Sequence, residues 1–536
     1  MELGTRSTAG RDPGRPPSRR GKGGGGVRSA GGADCVSPTS PPLPPLPAAG
    51  RGGRLWLPRL DEYGGACLVV LAALLALQIS PWWFPTPDSA AYLSMARSLA
   101  TTGTMRRFGS PHLFFSPGYP TLISPLFLLG PRPLLALAIG QWAVAVVLML
   151  GVYRWARRSA PGVAVLLTAF VMLNTSLWLY LRRPVSEIAF MTALVWGAAV
   201  VNGLPSMVRL GPRLARAGLG SGWLALAGLI RPAGVLVAVG FVALAAVQVW
   251  RGAWRWGLAA LLALIVVVPP VLAVRAVMVH DREAGTASGS SKPSYIRYLL
   301  DTRADLARQV ARGLYWQVLN TGRLLVPGMF KSHMKRREWA DPNLLLYVPV
   351  ALAVLVGWRR RLAGPPDVLV WALPLYVGLF VVWPFDEDTR FLLPMLPALA
   401  ACFWTVLERF RAGLPVLAVL VVAHLLAAVV FWVKEVPGVR ACHAEWPAVD
   451  AVAATLPRDE GPVAVLGVRD CVAGMLTVAL DRPVTWLSGA EVPGDVRRVV
   501  QPRARAIPSG FVTERIVGDY VLMTRPAGVA PAGAVP

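Results

Sequence analysis

Long apolar runs separated by short polar and basic loops set the pattern of this chain. Runs of spanning length fall at approximately residues 65–83, 133–153, 161–180, 186–204, 217–230, 233–250, 256–278, 342–357, 368–384, 391–407 and 413–433. They predict an α-helical multi-span membrane protein with about eleven transmembrane helices. The 217–230 run is short, and Arg231-Pro232 parts it from the next, because proline removes a backbone donor and ends a helix. Between the first two runs, Pro85 to Pro120 places a lone carboxylate: Asp88 is the only acid between Glu62 and Glu187. Pro-Asp-Ser followed by AAYLSMARSLA predicts a short amphipathic helix with Asp88 at or near its N-cap. Its apolar face carries Tyr92, Met95 and Leu99, and its end falls near Gly103.

The pattern changes at both ends of this region. Residues 1–60 are rich in Gly, Pro, Ser and Arg and cannot bury enough apolar surface to order themselves, which predicts a disordered basic cytoplasmic tail. The first apolar run begins too far in to be a cleaved secretory signal. From 434 to 536 the chain holds 11 basic and 11 acidic side chains, with strand-like runs PVAVLGV, PVTWLS and DYVLMT between the helical stretches WPAVDAVAATLP and RDCVAGMLTVAL. This predicts a small soluble α/β domain. The expected organisation is therefore a tail (1–60), a transmembrane domain (61–433) with outer loops 84–132 and 279–340, and an extracytoplasmic domain (434–536).

Composition agrees. Of 536 residues, 55% are hydrophobic and 15% charged, with a mean hydropathy of +0.52, too apolar for a soluble protein with a polar surface. The net charge of +25 does not imply nucleic acid, because the basic residues are spread over short loops, where they orient helices. With the N-terminus inside, five loops carrying Arg154, Arg157, Arg158, Arg209, Arg213, Arg216, Arg251, Arg255, Arg359, Arg360, Arg361, Arg409 and Arg411 face the cytoplasm against Asp367 and Glu408. An odd number of spans then leaves the C-terminal domain outside. The same arrangement puts Asp88, Arg182-Arg183, Arg231, the basic 279–340 segment and PFDEDTR on one outer face.

Several groups on that face could carry chemistry, each with a plainer alternative. Asp88 is a base or only a helix cap. Glu187 is a functional acid at the start of a span or a first-turn acid favoured by the helix dipole, paired with Arg183. Arg231 and Arg390 are anion-binding groups or side chains snorkelling at helix ends. No HExxH or triad order involves His112, His280, His333, His424 or His443. The five cysteines have no zinc spacing. Cys442 and Cys471 are the only two in the predicted outer domain, where an oxidising compartment permits a disulfide.

These residues resemble the GT-C superfamily of membrane glycosyltransferases that use polyprenyl-phosphate sugars, including protein O-mannosyltransferases and the lipid A aminoarabinose transferase. The likeness covers roughly residues 65–433. It rests on Asp88 with Tyr92, Ser116-Pro117-Gly118-Tyr119-Pro120, Ser186-Glu187, Leu229-Ile230-Arg231-Pro232, and Arg390 with Pro394 and Pro397. The resemblance implies a lipid-linked sugar donor, an extracytoplasmic acceptor and inverting transfer with Asp88 as base. Arg231, Arg390 and Arg183 would bind the donor phosphate, Glu187 would be a second catalytic acid, and Tyr92 and Tyr119 would line the substrate groove. Many members pair two acids in the first loop. Here Asp88 stands alone there, and with Glu187 distant in sequence the expectation is chemistry that requires no metal or other cofactor.

The implied localisation is the bacterial inner membrane, with membrane lipids as partners. A lipid-linked glycan flippase or transporter would instead show matching halves with broken helices and charges near the bilayer centre, and the sequence has neither. A GT-C-like protein that binds a glycolipid without turning it over is the remaining alternative.

Overall fold

The computed structural model describes residues 63–80, 82, 86–107, 110–111, 115–204, 210–283, 305–327, 343–383, 388–456, 463–466, 470–480, 484–487, 498–508 and 511–526. The predicted tail and most of the basic 279–340 segment lie outside them. Helix α1 (Gly64–Ala76) leads to α2 (Pro87–Thr102), a two-strand ribbon of β1 (Arg106–Arg107) and β2 (Ser110–Pro111), and α3 (Gly118–Ile123). A bundle follows: α4 (Leu134–Ser159), α5 (Ala164–Met172), α6 (Thr175–Leu181), α7 (Glu187–Val201), α8 (Leu210–Ile230), α9 (Gly234–Trp250) and α10 (Arg255–Glu283). It continues with α11 (Leu306–Leu325), α12 (Leu344–Leu362), α13 (Val368–Val381), α14 (Leu396–Leu407) and α15 (Gly413–Ala444).

By length and hydropathy, three helical stretches among the described residues are able to cross a membrane: Leu134–Ser159, Trp256–Ala273 and Gly413–Thr455. A fourth is possible if α5 and α6, bent by 54°, form one span. These criteria do not reach the expected eleven, because several apolar runs fold as shorter helices. The 161–180 run breaks at Asn174, whose Oδ1 accepts from the Ser176 N–H (3.0 Å) to cap α6 while its Nδ2 donates to the Leu324 carbonyl (2.6 Å). The 217–230 run, by contrast, is the end of the longer α8. Val419, Val422, Leu426 and Val430 on α15 lie exposed at helical spacing, the mark of a face turned toward lipid rather than water.

The far end of the bundle from the site described below is fastened by one buried carboxylate. Asp367 caps α13 through Leu369 N–H (3.1 Å) and accepts from Trp155 Nε1 (3.2 Å), Ser159 Oγ (2.8 Å) and Asn202 Nδ2 (3.1 Å). Arg361 lies 3.5 Å away. One side chain thus joins the ends of α4, α7, α12 and α13.

The composition change at Lys434 falls inside α15, which runs on to Ala444. Beyond it come α16 (Trp446–Thr455), β3 (Val463–Leu466), α17 (Asp470–Leu480), β4 (Val484–Leu487), β5 (Arg498–Pro502), β6 (Val512–Val517) and β7 (Tyr520–Thr524). The strands form one sheet in the order β4-β3-β5-β7-β6. β3 pairs in parallel with β4 and β5, with Val463 opposite Val484 and Arg498, while β7 is antiparallel to β5 and β6. The fully buried β3 reads as a continuous apolar run, as a central strand of a covered parallel sheet should. Arg97 ties this domain to α2: its Nη1 donates to the Val478 carbonyl (3.1 Å) and its Nη2 to that of Pro131 (3.2 Å).

Candidate active site

The start of α2 places Asp88 near the N-cap but not at it. The N-cap is Thr86, whose Oγ1 accepts from Ser89 N–H (3.1 Å) while Ser89 Oγ accepts from Thr86 N–H (2.7 Å), a reciprocal capping box. Pro87 occupies the first helical position, where a missing N–H costs nothing. Asp88 follows in the first turn, relieved of capping. The helix stops at Gly103, whose φ of 67° lies in the left-handed region.

Released from the cap, the Asp88 carboxylate accepts from Arg390 Nη1, and its side chain stays 31% exposed. The Nε of the same guanidinium donates to Glu187 Oε1. Glu187 is fully buried at the start of α7, and its Oε1 also accepts from Arg231 Nη2 at 2.6 Å. Asp88 and Glu187, 99 positions apart in the chain, therefore meet on one arginine. Distance along the chain does not keep them apart, because α7 begins beside the Arg390 turn. A fully buried carboxylate is tolerable only when paired, and two guanidiniums provide that here. Burial opposes the charge on Arg390, but Glu187 and Asp88 outweigh it and hold the guanidinium above its ordinary pKa.

Arg231 is fixed by local geometry. Pro232 ends α8, and Arg231 sits in a tight turn before α9, with the Gly234 N–H donating to the Arg231 carbonyl (2.9 Å). Its Nε donates to Ser186 Oγ (2.9 Å), and its guanidinium lies 5.9 Å from the Phe190 ring. Ser186 in turn shares a hydrogen bond with the Tyr92 hydroxyl (3.1 Å). Tyr92 packs edge-on against Tyr119 and tilted against Phe115, each at 5.0 Å. The Ser116–Pro120 loop reaches the Leu229–Pro232 corner because residue 118 is glycine: a Cβ there would lie 2.7 Å from the Leu229 carbonyl and the Ile230 nitrogen. The sequence motifs meet physically at this contact.

Arg183 stands beside the cluster. Its carbonyl accepts from Gln141 Nε2 (2.6 Å), and its charge is felt at both Arg390 and Glu187. Gln141 Nε2 also reaches Tyr119 Oη (3.2 Å). Sequence reasoning gave no role to Ser186, Gln141 or Arg107. Gln141 was findable as the lone amide in the apolar run 134–153. Arg107 lies 5.5 Å from the Phe115 ring and within the field of Asp88. Two buried polar atoms here, Glu187 Oε2 and the Tyr376 hydroxyl, have no hydrogen-bond partner among the described residues.

No group of three or more metal-ligating side chains occurs among the described residues. His424 packs against Phe170 (5.1 Å) on α15, while the side chains of His112, His280 and His333 lie outside the described residues. Cys442 is disulfide-bonded and Cys67 and Cys402 are free. The side chain of Cys471 lies outside the described residues.

No protein-family profile and no curated protein sequence matches the chain. Solved structures do. ArnT from Cupriavidus metallidurans bound to undecaprenyl phosphate matches with a TM-score of 0.54 at 13% identity, over 88% of this chain and 99% of that one. The oligosaccharyltransferase AglB from Archaeoglobus fulgidus, in complex with an inhibitory peptide and a dolichol-phosphate, matches with a TM-score of 0.52 at 13% identity, over 83% of this chain and 70% of that one. The fold is the GT-C fold that the motifs imply. A match over 88% of the chain extends beyond residues 65–433, to which the sequence resemblance was confined.

Proposed function

We propose that this chain, a membrane protein with the GT-C fold, is a glycosyltransferase that moves a sugar from a polyprenyl-phosphate donor to an extracytoplasmic acceptor. The observation that carries the reading is the cluster of Asp88, Glu187, Arg231 and Arg390, gathered from four distant segments at one end of the bundle. The polyprenyl-phosphate ligands of structures with the same fold support the donor class. A site on the outer face with the N-terminus cytoplasmic belongs to this proposal and rests on the arginine bias of the loops; the count of about eleven spans rests on the apolar runs, and the bacterial inner membrane on the resemblance.

In the proposed reaction the acceptor hydroxyl attacks the anomeric carbon opposite the phosphate and the configuration inverts. The new bond forms as the sugar–phosphate C–O bond breaks, and the electron pair leaves with the phosphate. The hydroxyl proton passes to Asp88, the carboxylate that reaches the mouth of the cluster. Arg390 and Arg231 stabilise the departing phosphate, with Arg183 as the third cation. Glu187 holds both guanidiniums. Tyr92 and Tyr119 form the groove wall. No step requires a metal.

The test compares envelope glycans and polyprenyl-phosphate sugars in cells with and without the gene. Loss of one glycan with accumulation of one lipid-linked sugar is expected, and it names donor and acceptor together. An unchanged inventory overturns the transferase reading. A lipid-linked glycan trapped on the cytoplasmic face would point to the flippase instead.

A further inference from the structure

At the same end of the bundle as the Asp88 cluster, but outside it, lies a second cleft lined by Gln78, Trp82, Leu137, Gln141, Leu181 and Arg182. Two buried amides in it are held in fixed orientations, each leaving one atom unused. Gln78 Oε1 accepts from Arg182 Nε (2.6 Å), so its Nε2 is the free end, buried and without a hydrogen-bond partner. Gln141 Nε2 donates to the Arg183 carbonyl and to Tyr119, so its Oε1 is left buried and unpartnered. Gln78 is 6% exposed and Gln141 9%. Buried polar atoms are as a rule hydrogen-bonded, and two unsatisfied ones on residues lining one cleft point to an absent partner.

Arg182 adds charge. It stacks over the Trp432 ring at 5.7 Å, and no carboxylate among the described residues lies within ion-pair distance of it. Burial pushes its guanidinium down to about 10, only partly offset by the field of Glu435. The residues that line the cleft therefore hold a cation, an unused N–H donor and an unused carbonyl acceptor. A phosphodiester without a hydroxyl, which brings only acceptors, satisfies Arg182 and Gln78 but leaves Gln141 Oε1 unfilled. A phosphate with a neighbouring hydroxyl satisfies all three. Next in the chain to lining residues, Leu77 at the end of α1 and Leu135 and Ile139 on α4 are exposed and apolar, a surface along which acyl chains can lie.

We infer that this cleft binds the hydroxyl-bearing phosphodiester head group of a membrane lipid, at a site separate from the Asp88 cluster. Gln141 belongs to both places, its Nε2 donating to Tyr119 while its side chain lines the cleft, so an occupant would brace the wall of the first site. The inference stands whether or not the chain transfers sugars.

Native mass spectrometry of the full chain tests it, with phosphatidylglycerol, phosphatidylcholine, undecaprenyl phosphate and inorganic phosphate as separate probes. Wild type is expected to retain phosphatidylglycerol at least tenfold better than phosphatidylcholine. Arg182→Gln and Gln78→Leu should abolish that preference, while Arg182→Lys should keep most of it. An unchanged preference in Arg182→Gln and Gln78→Leu overturns the site. Displacement of phosphatidylglycerol by equimolar undecaprenyl phosphate would merge it with the donor site and overturn its separateness. Displacement by millimolar inorganic phosphate would make the occupant a free anion and overturn the lipid assignment. If Arg182→Gln does not fold, the Gln78→Leu and Arg182→Lys pair decides alone.

Discussion

Asp88→Asn separates the proposed base from a structural role for the same side chain. In the fold the Asp88 carboxylate touches Arg390 and caps nothing, since Thr86 and Ser89 close the helix end between them. Asn keeps a carbonyl oxygen that accepts from Arg390 Nη1, and Arg390 keeps Glu187. The Asp88 side of the lost ion pair is 31% exposed and Arg390 keeps its buried partner, so removal of the pair should cost about 1 kcal/mol of stability. Loss of a general base costs about 10²–10⁴ in rate, or about 2.7–5.4 kcal/mol at 1.36 kcal/mol per tenfold. The catalytic effect therefore exceeds the stability effect severalfold, and a protein with about 5 kcal/mol or more to spare stays folded. The assay is transfer from a polyprenyl-phosphate sugar by purified protein in liposomes, with melting temperature followed in parallel. Asp88→Ala sharpens it. If Asp88 only positions Arg390, Asn should retain activity and Ala lose it; if Asp88 is the base, both fall together by at least two orders of magnitude. Turnover of the Asn variant within threefold of wild type would refute the assignment and leave Glu187 as the remaining acid to consider.

Glu187→Gln should behave in the opposite way, destabilising the fold by about 3–5 kcal/mol because Arg231 and Arg390 lose a fully buried counter-charge, and thermal denaturation reads this directly. Gly118→Val should cost about 1–3 kcal/mol and lower transfer as well, since its side chain would enter the backbone at Leu229 and Ile230 and move Arg231; unchanged melting would contradict the close approach. Thr86→Ala should cost about 1 kcal/mol while transfer per folded molecule is kept, which distinguishes the cap from the proposed base two residues on. Peptide mapping without reduction should link Cys442 to Cys471, a bridge worth roughly 3 kcal/mol for a loop of about 30 residues; a Cys442–Cys35 peptide would refute that pairing and the placement of residue 35 inside.

Apolar periodicity made the helical bundle legible, and the alternation after Val433 made the sheet legible, because both follow from burial of side chains at fixed spacing. The site was legible only as a set of fragments. Asp88, Glu187, Arg231 and Arg390 could be named because each is a charged residue at the edge of an apolar run, where charge is expensive. Which of them touch was not legible, since the pairing depends on where α2, α7, α8 and the Arg390 turn end in space. That Asp88 is not itself the cap stays open in the sequence for a local reason: Thr86 and Ser89 flank Pro87-Asp88 and form a complete capping box, a pattern of hydroxyls at i and i+3 that outcompetes the carboxylate between them. The break at Asn174 was hidden because a single amide inside a long apolar run leaves its hydropathy almost unchanged.

The charge count within the cluster bears on how its arginines divide the work. Asp88 and Glu187 balance Arg231 and Arg390, so the assembled group is neutral without a ligand and can remain buried at modest cost. A donor phosphate adds negative charge to a neutral group, and some cation must turn toward it. Arg231 is the least free to do so, being held by Ser186, Glu187 and the face of Phe190, with its side chain 13% exposed. Arg390 is shared between buried Glu187 and the more exposed Asp88, so its Nη1 arm is the one that can leave a partner still reachable by water. Arg183 and Arg107, whose charges already act on Glu187 and Asp88, are the cations positioned to make up the balance. On the transfer reading, therefore, Arg231 acts on the phosphate through its fixed charge while Arg390 turns to meet it. An Arg390 arm that turns to phosphate also leaves the Asp88 carboxylate free of its ion pair at the moment a hydroxyl proton needs an acceptor.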